Sequence, residues 1–219
     1  MAASLPAPRA AEPELVHCES ALDFQRARDL REALFRSRRG IVLDGIRESR
    51  RDAESHVFLL SSGGVAVSTT RVQPYPSDLS DLVGLSVDST GLTGQPADSE
   101  VGRLAALPSA SAARYSLLLM ALGARWLLDH TDHRSYVAYC LPQVLKIYRL
   151  VGAKDTGQTW IVPGQSHTHR VIVGTYADAA RLGLATLQLS DAEANSFIRQ
   201  RGVVHHQPVG LRPVTGSWR

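Results

Sequence analysis

The run SEVGRLA sets Glu100 and Arg103 three residues apart in an otherwise apolar stretch. Side chains alternate along an ideal strand, so these two would point to opposite faces unless a bulge intervenes. A carboxylate among Val101, Leu104 and Leu107 needs a partner or a task. Two readings stand: a structural ion pair with Arg103 or with Arg71 of the preceding strand, or a carboxylate that binds a ligand or takes its proton. The turn that follows, PSASAAR, sets Ser109, Ala110 and Ser111 before Arg114 and an apolar helix. Free N–H groups at such a helix start bind phosphate oxygens, and Arg114 would add a charge. Tyr148 lies four residues before Gly152 in YRLVGA. It is either a packing residue at a helix end or a phenol placed to donate a proton. The histidine groups His130 and His133, His167 and His169, and His205 and His206 lack a third ligand at diagnostic spacing, so no metal site is expected. Cys18 and Cys140 match no metal spacing, and no disulfide framework is expected. No phosphate-binding loop, dinucleotide fingerprint or nucleophile elbow is present.

The elements that must hold these residues follow from periodicity and breakers. ELVHC reads as a strand over 14–18. Ser20 caps a helix reaching about Arg36, with Phe24, Ala27, Leu30 and Leu34 on one face. Residues 41–55 are charged and poorly periodic, a second short helix or a loop. Two β-rich runs, 56–60 and 65–73, flank Ser-Ser-Gly-Gly and predict a hairpin. A long loop, with a helical turn near 78–84, fills 74–98. A strand over 99–107 precedes a mostly apolar helix over 110–130, which must be buried on much of its surface. SYVAYCL (135–141) is a buried strand. Pro142 opens a helix that Gly152 ends near Val151. QTWIVP and HRVIVGTY are two more strands, and Ser190 with Glu193 opens a last helix over 191–201. A strand–helix–strand crossover demands parallel pairing, while the hairpins demand antiparallel pairing. The fold class is a mixed α/β sheet with helices on its faces.

With 219 residues and 44% hydrophobic content, the chain suits one domain over 14–202, with a flexible leader at 1–13 and a weakly ordered tail at 203–219. No apolar run reaches a membrane-spanning length, and no signal-peptide pattern opens the chain. A cytoplasmic setting is expected. The net charge of +3 comes from arginine clustered between Arg26 and Arg51. This is either a solvated helical face or a docking surface for an acidic partner. No nucleic-acid motif accompanies it, and no nucleic-acid partner is expected.

The order of elements and four short motifs resemble the GNAT superfamily of N-acyltransferases, on the branch of acyl-homoserine-lactone synthases and N-acyl amino acid synthases. REALF sets Arg31 four residues before Phe35, STTRV ends the hairpin at Arg71, SEVGRLAAL supplies Glu100 and Arg103, and YRLVGA supplies Tyr148 and Gly152. The likeness covers roughly 15–176. It implies a GNAT-like, mostly antiparallel sheet with one splayed parallel pair and helices on both faces. It implies N-acyl transfer from a pantetheine thioester, on acyl carrier protein or CoA, to the amine of an amino acid or related small molecule, with no tightly bound cofactor. Glu100 would take the amine proton, directly or through water, and Tyr148 would protonate the leaving thiolate. Leu107, Ser109, Ala110, Ser111 and Arg114 would hold the pantetheine arm or its phosphate, and backbone N–H groups near 105–107 would polarise the thioester carbonyl. Arg31, Phe35, Arg71 and Arg103 would bind the acceptor, and the 112–128 helix would line the acyl tunnel. Arg36, Arg38 and Arg39 would dock the acidic carrier protein. The sequence departs from the pattern at the glycine-free Ser109–Arg114 turn and at Ala153, and after the first helix only Asp52 stands out as an acid. An acyl-homoserine-lactone synthase using S-adenosylmethionine, or a non-catalytic module that binds an acyl thioester or a partner, are the rival readings.

Overall fold

In the computed structural model the residues described are 12–75, 77, 98–109, 111–161 and 167–198. The order is β1 (Pro13–His17), α1 (Ala21–Arg39), α2 (Gly45–Ala53), β2 (His56–Ser62), β3 (Val65–Pro74), β4 (Ser99–Ala106), α3 (Ala112–His130), β5 (Ser135–Cys140), a 3-10 turn (Pro142–Val144), α4 (Leu145–Leu150), β6 (Lys154–Ile161), β7 (Thr168–Thr175), α5 (Tyr176–Leu187) and α6 (Asp191–Phe197). The expected leader, most of the 74–98 loop with its helical turn, Ala110, His205, His206 and the tail lie outside the described residues.

The seven strands run β1-β2-β3-β4-β5-β7-β6 in one sheet. All neighbours are antiparallel except β4 and β5, joined by the α3 crossover and paired in parallel. That parallel pairing stops at Val101↔Ala138, whereas β4 stays on β3 as far as Ala106. The two strands therefore splay. The β3–β4 register also shifts between Thr69 and Arg71, and Arg103 sits at φ +57°. A left-handed residue without glycine's freedom costs about 1–3 kcal/mol, so the surroundings must hold it. The Thr70 hydroxyl does so by donating to the Gly102 carbonyl at 3.0 Å.

One face of the sheet carries α1 and the cluster of Val16, Ala27, Leu34, Val57, Leu59 and Ala105. The other carries α3 and α5 over Leu15, Phe58, Leu60, Val101 and Ile172. Each fully buried leucine on α3, such as Leu119 or Leu122, contributes about 1.5–3 kcal/mol. Local signals set the ends. The Ser20 hydroxyl accepts from the Asp23 N–H at 3.1 Å, and Gly40 closes α1 in the left-handed region. The charged 41–55 segment resolves into α2, capped by Asp44, whose carboxylate accepts from the Ile46 and Arg47 N–H groups.

The predicted elements shift by only a few residues, with one omission. TYADAARLGLATL, not separated as a helix from its sequence, forms α5, with Thr175 as cap and Asp178 in its first turn. It runs on from β7 without a glycine or proline break, which hides the boundary.

Candidate active site

The splay opens a cleft of about 520 Å³. Its walls come from the end of α1, from α2, from β3 and β4, from the start of α3, and from β5, α4, β6 and β7. Glu100 of β4 and Tyr148 of α4 both line it. The other sequence-predicted residues divide between this wall and the frame behind it.

Glu100 is buried, and its expected arginine partners are engaged elsewhere. Its Oε1 accepts from Gln73 Nε2 at 3.1 Å, and its Oε2 accepts from the Ser77 hydroxyl. Arg71 Nη1 instead donates to Glu48 Oε2 at 3.1 Å and lies 3.4 Å from Asp52 Oδ1. Arg103 reaches Glu48 through Nη2 at 2.7 Å and Nε at 3.1 Å. The bulge explains the reach: it turns Arg103 toward α2, so that Arg103 and Glu100 line the same cleft. Arg31 is fully buried and forks onto Asp52, with Nη1 to Oδ1 at 2.9 Å. It braces α2 from behind rather than forming the cleft wall.

Glu48 is therefore the second acid that the sequence did not reveal. It lies one helical turn before Asp52, and that spacing of four was the available signal. Burial alone would push its carboxyl up. The hydrogen bonds and charge of Arg103, with Arg71 and Arg31 behind, outweigh burial and hold it down at about 2. Burial draws Arg71 down to about 10, still far above neutrality. In this cluster four arginines, Arg28, Arg31, Arg71 and Arg103, meet two carboxylates, Glu48 and Asp52, a surplus of positive charge beside the cleft.

Phe35 lines the cleft beneath two guanidinium groups, Arg39 at 4.7 Å and Arg103 at 5.6 Å from its ring centre. Arg39, grouped by sequence with Arg36 and Arg38, thus turns into the cleft, whereas Arg36 is exposed and paired with Glu32. At the start of α3, Ala112, Ala113 and Ser116 reach the wall. Arg114 is exposed and Ala110 lies outside the described residues. The turn also consumes its own donors: the Ser111 N–H goes to the Ser109 hydroxyl and the Ala112 N–H to the Ser109 carbonyl. Leu107 donates its N–H to the Val67 carbonyl at 2.8 Å, so that group is taken by the sheet.

Tyr148 is 4% exposed, and burial raises its phenol well above the ordinary value. It therefore keeps its proton in the resting form. It also borders a small apolar cavity of about 30 Å³ between the sheet and α3, shared with Val101, Leu119, Gly123 and Tyr136. Cys140 lines the cleft, but burial pushes its thiol up to about 11, which keeps it from acting as a thiolate near neutral pH. His130 stacks on Trp126 at 4.5 Å and donates to that residue's carbonyl, and His133 packs edge-on against His56 at 5.7 Å. Among the described residues, no three His, Cys, Asp or Glu side chains are grouped to hold a metal. No helix among them is long and apolar enough to cross a membrane.

Solved structures share this architecture. FeeM, an N-acyl amino acid synthase from uncultured soil microbes, superposes with a TM-score of 0.65 at 12% identity, over 83% of this chain and 100% of that one. BjaI, a CoA-dependent acyl-homoserine lactone synthase solved with SAM and isopentyl-CoA, gives 0.62 at 17% identity, over 88% and 94%. A putative N-acetyltransferase from Lactobacillus plantarum gives 0.55 at 15% identity, over 75% and 98%. No protein-family model matches the sequence, and no curated protein matches it. At such identities the likeness is one of fold, and the fold is GNAT-like.

Proposed function

We propose that the protein is an N-acyltransferase that moves an acyl group from a pantetheine thioester, on CoA or acyl carrier protein, to the amine of an amino acid or related small molecule. The observation that carries this reading is the β4–β5 splay, which opens over one cleft bordered by both Glu100 and Tyr148. Past Val101, β4 no longer pairs with β5, and its backbone can meet a thioester carbonyl there. The acceptor's ammonium sits by Glu100 and must lose a proton before it reacts, since only the free amine attacks. Nitrogen bonds to the carbonyl carbon, the carbon–sulfur bond breaks, and the Tyr148 hydroxyl protonates the leaving sulfur. The surplus positive charge of the Arg71–Arg103 cluster suits an acceptor carboxylate. The apolar cavity behind Tyr148 suits the start of an acyl tail. The N-acyl amino acid synthase that shares the fold supports the same reading.

Glu48 favours a second reading. With Asp52 it makes two acids on α2 where the sequence showed Asp52 alone, which brings the chain nearer the pattern of an acyl-homoserine-lactone synthase acting on S-adenosylmethionine. Mass spectrometry of lipids from a host expressing the chain separates the two. N-acyl amino acids are expected. Acyl-homoserine lactones would select the second reading, and an unchanged lipid profile would count against both.

A further inference from the structure

Two protons leave the acceptor nitrogen when an ammonium becomes an amide. In the acyltransferase reading, one reaches the sulfur by way of Tyr148 and the other needs an acceptor. Glu100 already receives hydrogen bonds from Gln73 and Ser77, an arrangement suited to holding a cation in place. His169 lines the same cleft, on β7 opposite Trp160 of β6. The residue is 7% exposed, and its Nδ1 has no hydrogen-bond partner among the described residues. A buried polar atom left so in a cleft wall is costly unless a ligand or water completes it. The wall around it is aromatic: the Tyr139 and Trp160 rings lie 5.6 Å apart, and the Trp160 and His169 rings 6.0 Å.

We infer that His169 takes the proton that leaves the acceptor's ammonium. The inference rests on the acyltransferase reading and names a residue that reading does not use. Burial lowers the imidazole from its ordinary 6.5 and the charge of Arg39 from α1 lowers it further, outweighing a backbone hydrogen bond with His167 that raises it. The ring is therefore neutral at physiological pH and able to accept. Its lone pair takes one N–H proton, and the amine attacks the carbonyl carbon. The carbon–sulfur bond then breaks, and the second nitrogen proton ends on the sulfur through Tyr148. The imidazolium returns its proton to water. The sum is ammonium plus thioester giving amide, thiol and one proton, with no further reactant.

The test compares wild type with His169→Gln and His169→Asn. Thiol release is followed from hexanoyl and decanoyl donors, on CoA and on acyl carrier protein, with the twenty amino acids, across roughly pH 5 to 9. Both variants should lose about 100-fold in kcat/KM and lose the acid-side limb of the wild-type profile, with donor KM and Tm unchanged. Activity within about threefold of wild type, or a lowered rate that keeps the acid limb, overturns the inference. A wild type inactive with every pair overturns the functional reading, and this inference with it.

Discussion

A phenol protonates a departing thiolate only if it still holds its proton when the sulfur leaves. Burial gives Tyr148 that property by disfavouring its anion. Tyr148→Phe should lower kcat by about 10- to 100-fold while leaving Tm within a degree or two, measured by thiol release and thermal melting. An unchanged kcat would reduce Tyr148 to packing. Glu48 makes stability depend on pH. Its folded carboxyl titrates near 2 against 4.5 for the free side chain, so its contribution is complete above about 4.5 and fades as pH falls toward 2. The shift corresponds to about 3 kcal/mol. Glu48→Gln should flatten the stability curve over that window, as followed by urea unfolding at stepped pH. These residues differ in how far the sequence exposed them. Glu100, Tyr148, Arg71 and Arg103 were singled out by the motifs that carry the resemblance, and all four line the cleft. Glu48 was hidden among the alternating charges of GIRESRRDA, and the partners of Arg71 and Arg103 depended on a bulge that no residue type announced.

Elements fix how wide the cleft stands. The α3–α5 layer holds β4 and β5 from one face while α1 and α2 close the other. Its tight point is Gly183, where an added Cβ would lie 2.7 Å from Ala121 Cβ and 3.3 Å from Val151 Cγ1. Val151 follows α4, the helix that carries Tyr148, so a wedge there pushes on the cleft wall. Gly183→Val should cost about 1–3 kcal/mol by overpacking and should depress transfer beyond its effect on folding, as read by urea unfolding and thiol release at a temperature where the variant is folded. An unchanged stability would contradict the packing described. The hairpin, the α3 crossover and its parallel strand pair were legible, because Gly-Gly turns and crossover length leave few alternatives. The splay was implied only by resemblance, because the loss of pairing after Val101↔Ala138 depends on backbone course rather than on residue type. α5 was not legible, since it follows β7 without a breaker and its cap is an ordinary threonine.

The whole molecule presents its charge unevenly. Arg36 and Arg38 stay exposed at the end of α1, and Arg38 reaches the cleft mouth, while Arg39 turns inward over Phe35. A carrier protein with an acidic surface would meet the first two on its way to the splay. Arg36→Glu with Arg38→Glu should therefore lower kcat/KM for carrier-protein donors by about 10-fold, more at low salt, and leave CoA donors nearly unaffected. Equal effects on both donors would remove the docking role. In the proposed reaction an amine attacks an acyl thioester within one cleft. Its most direct test is thiol release from acyl-CoA and acyl carrier protein in the presence and absence of amino acids, with the product mass determined. Amine-dependent release with a product equal in mass to the amide is the expected result. No release, or release that yields only the free acid whether or not an amine is present, would contradict it.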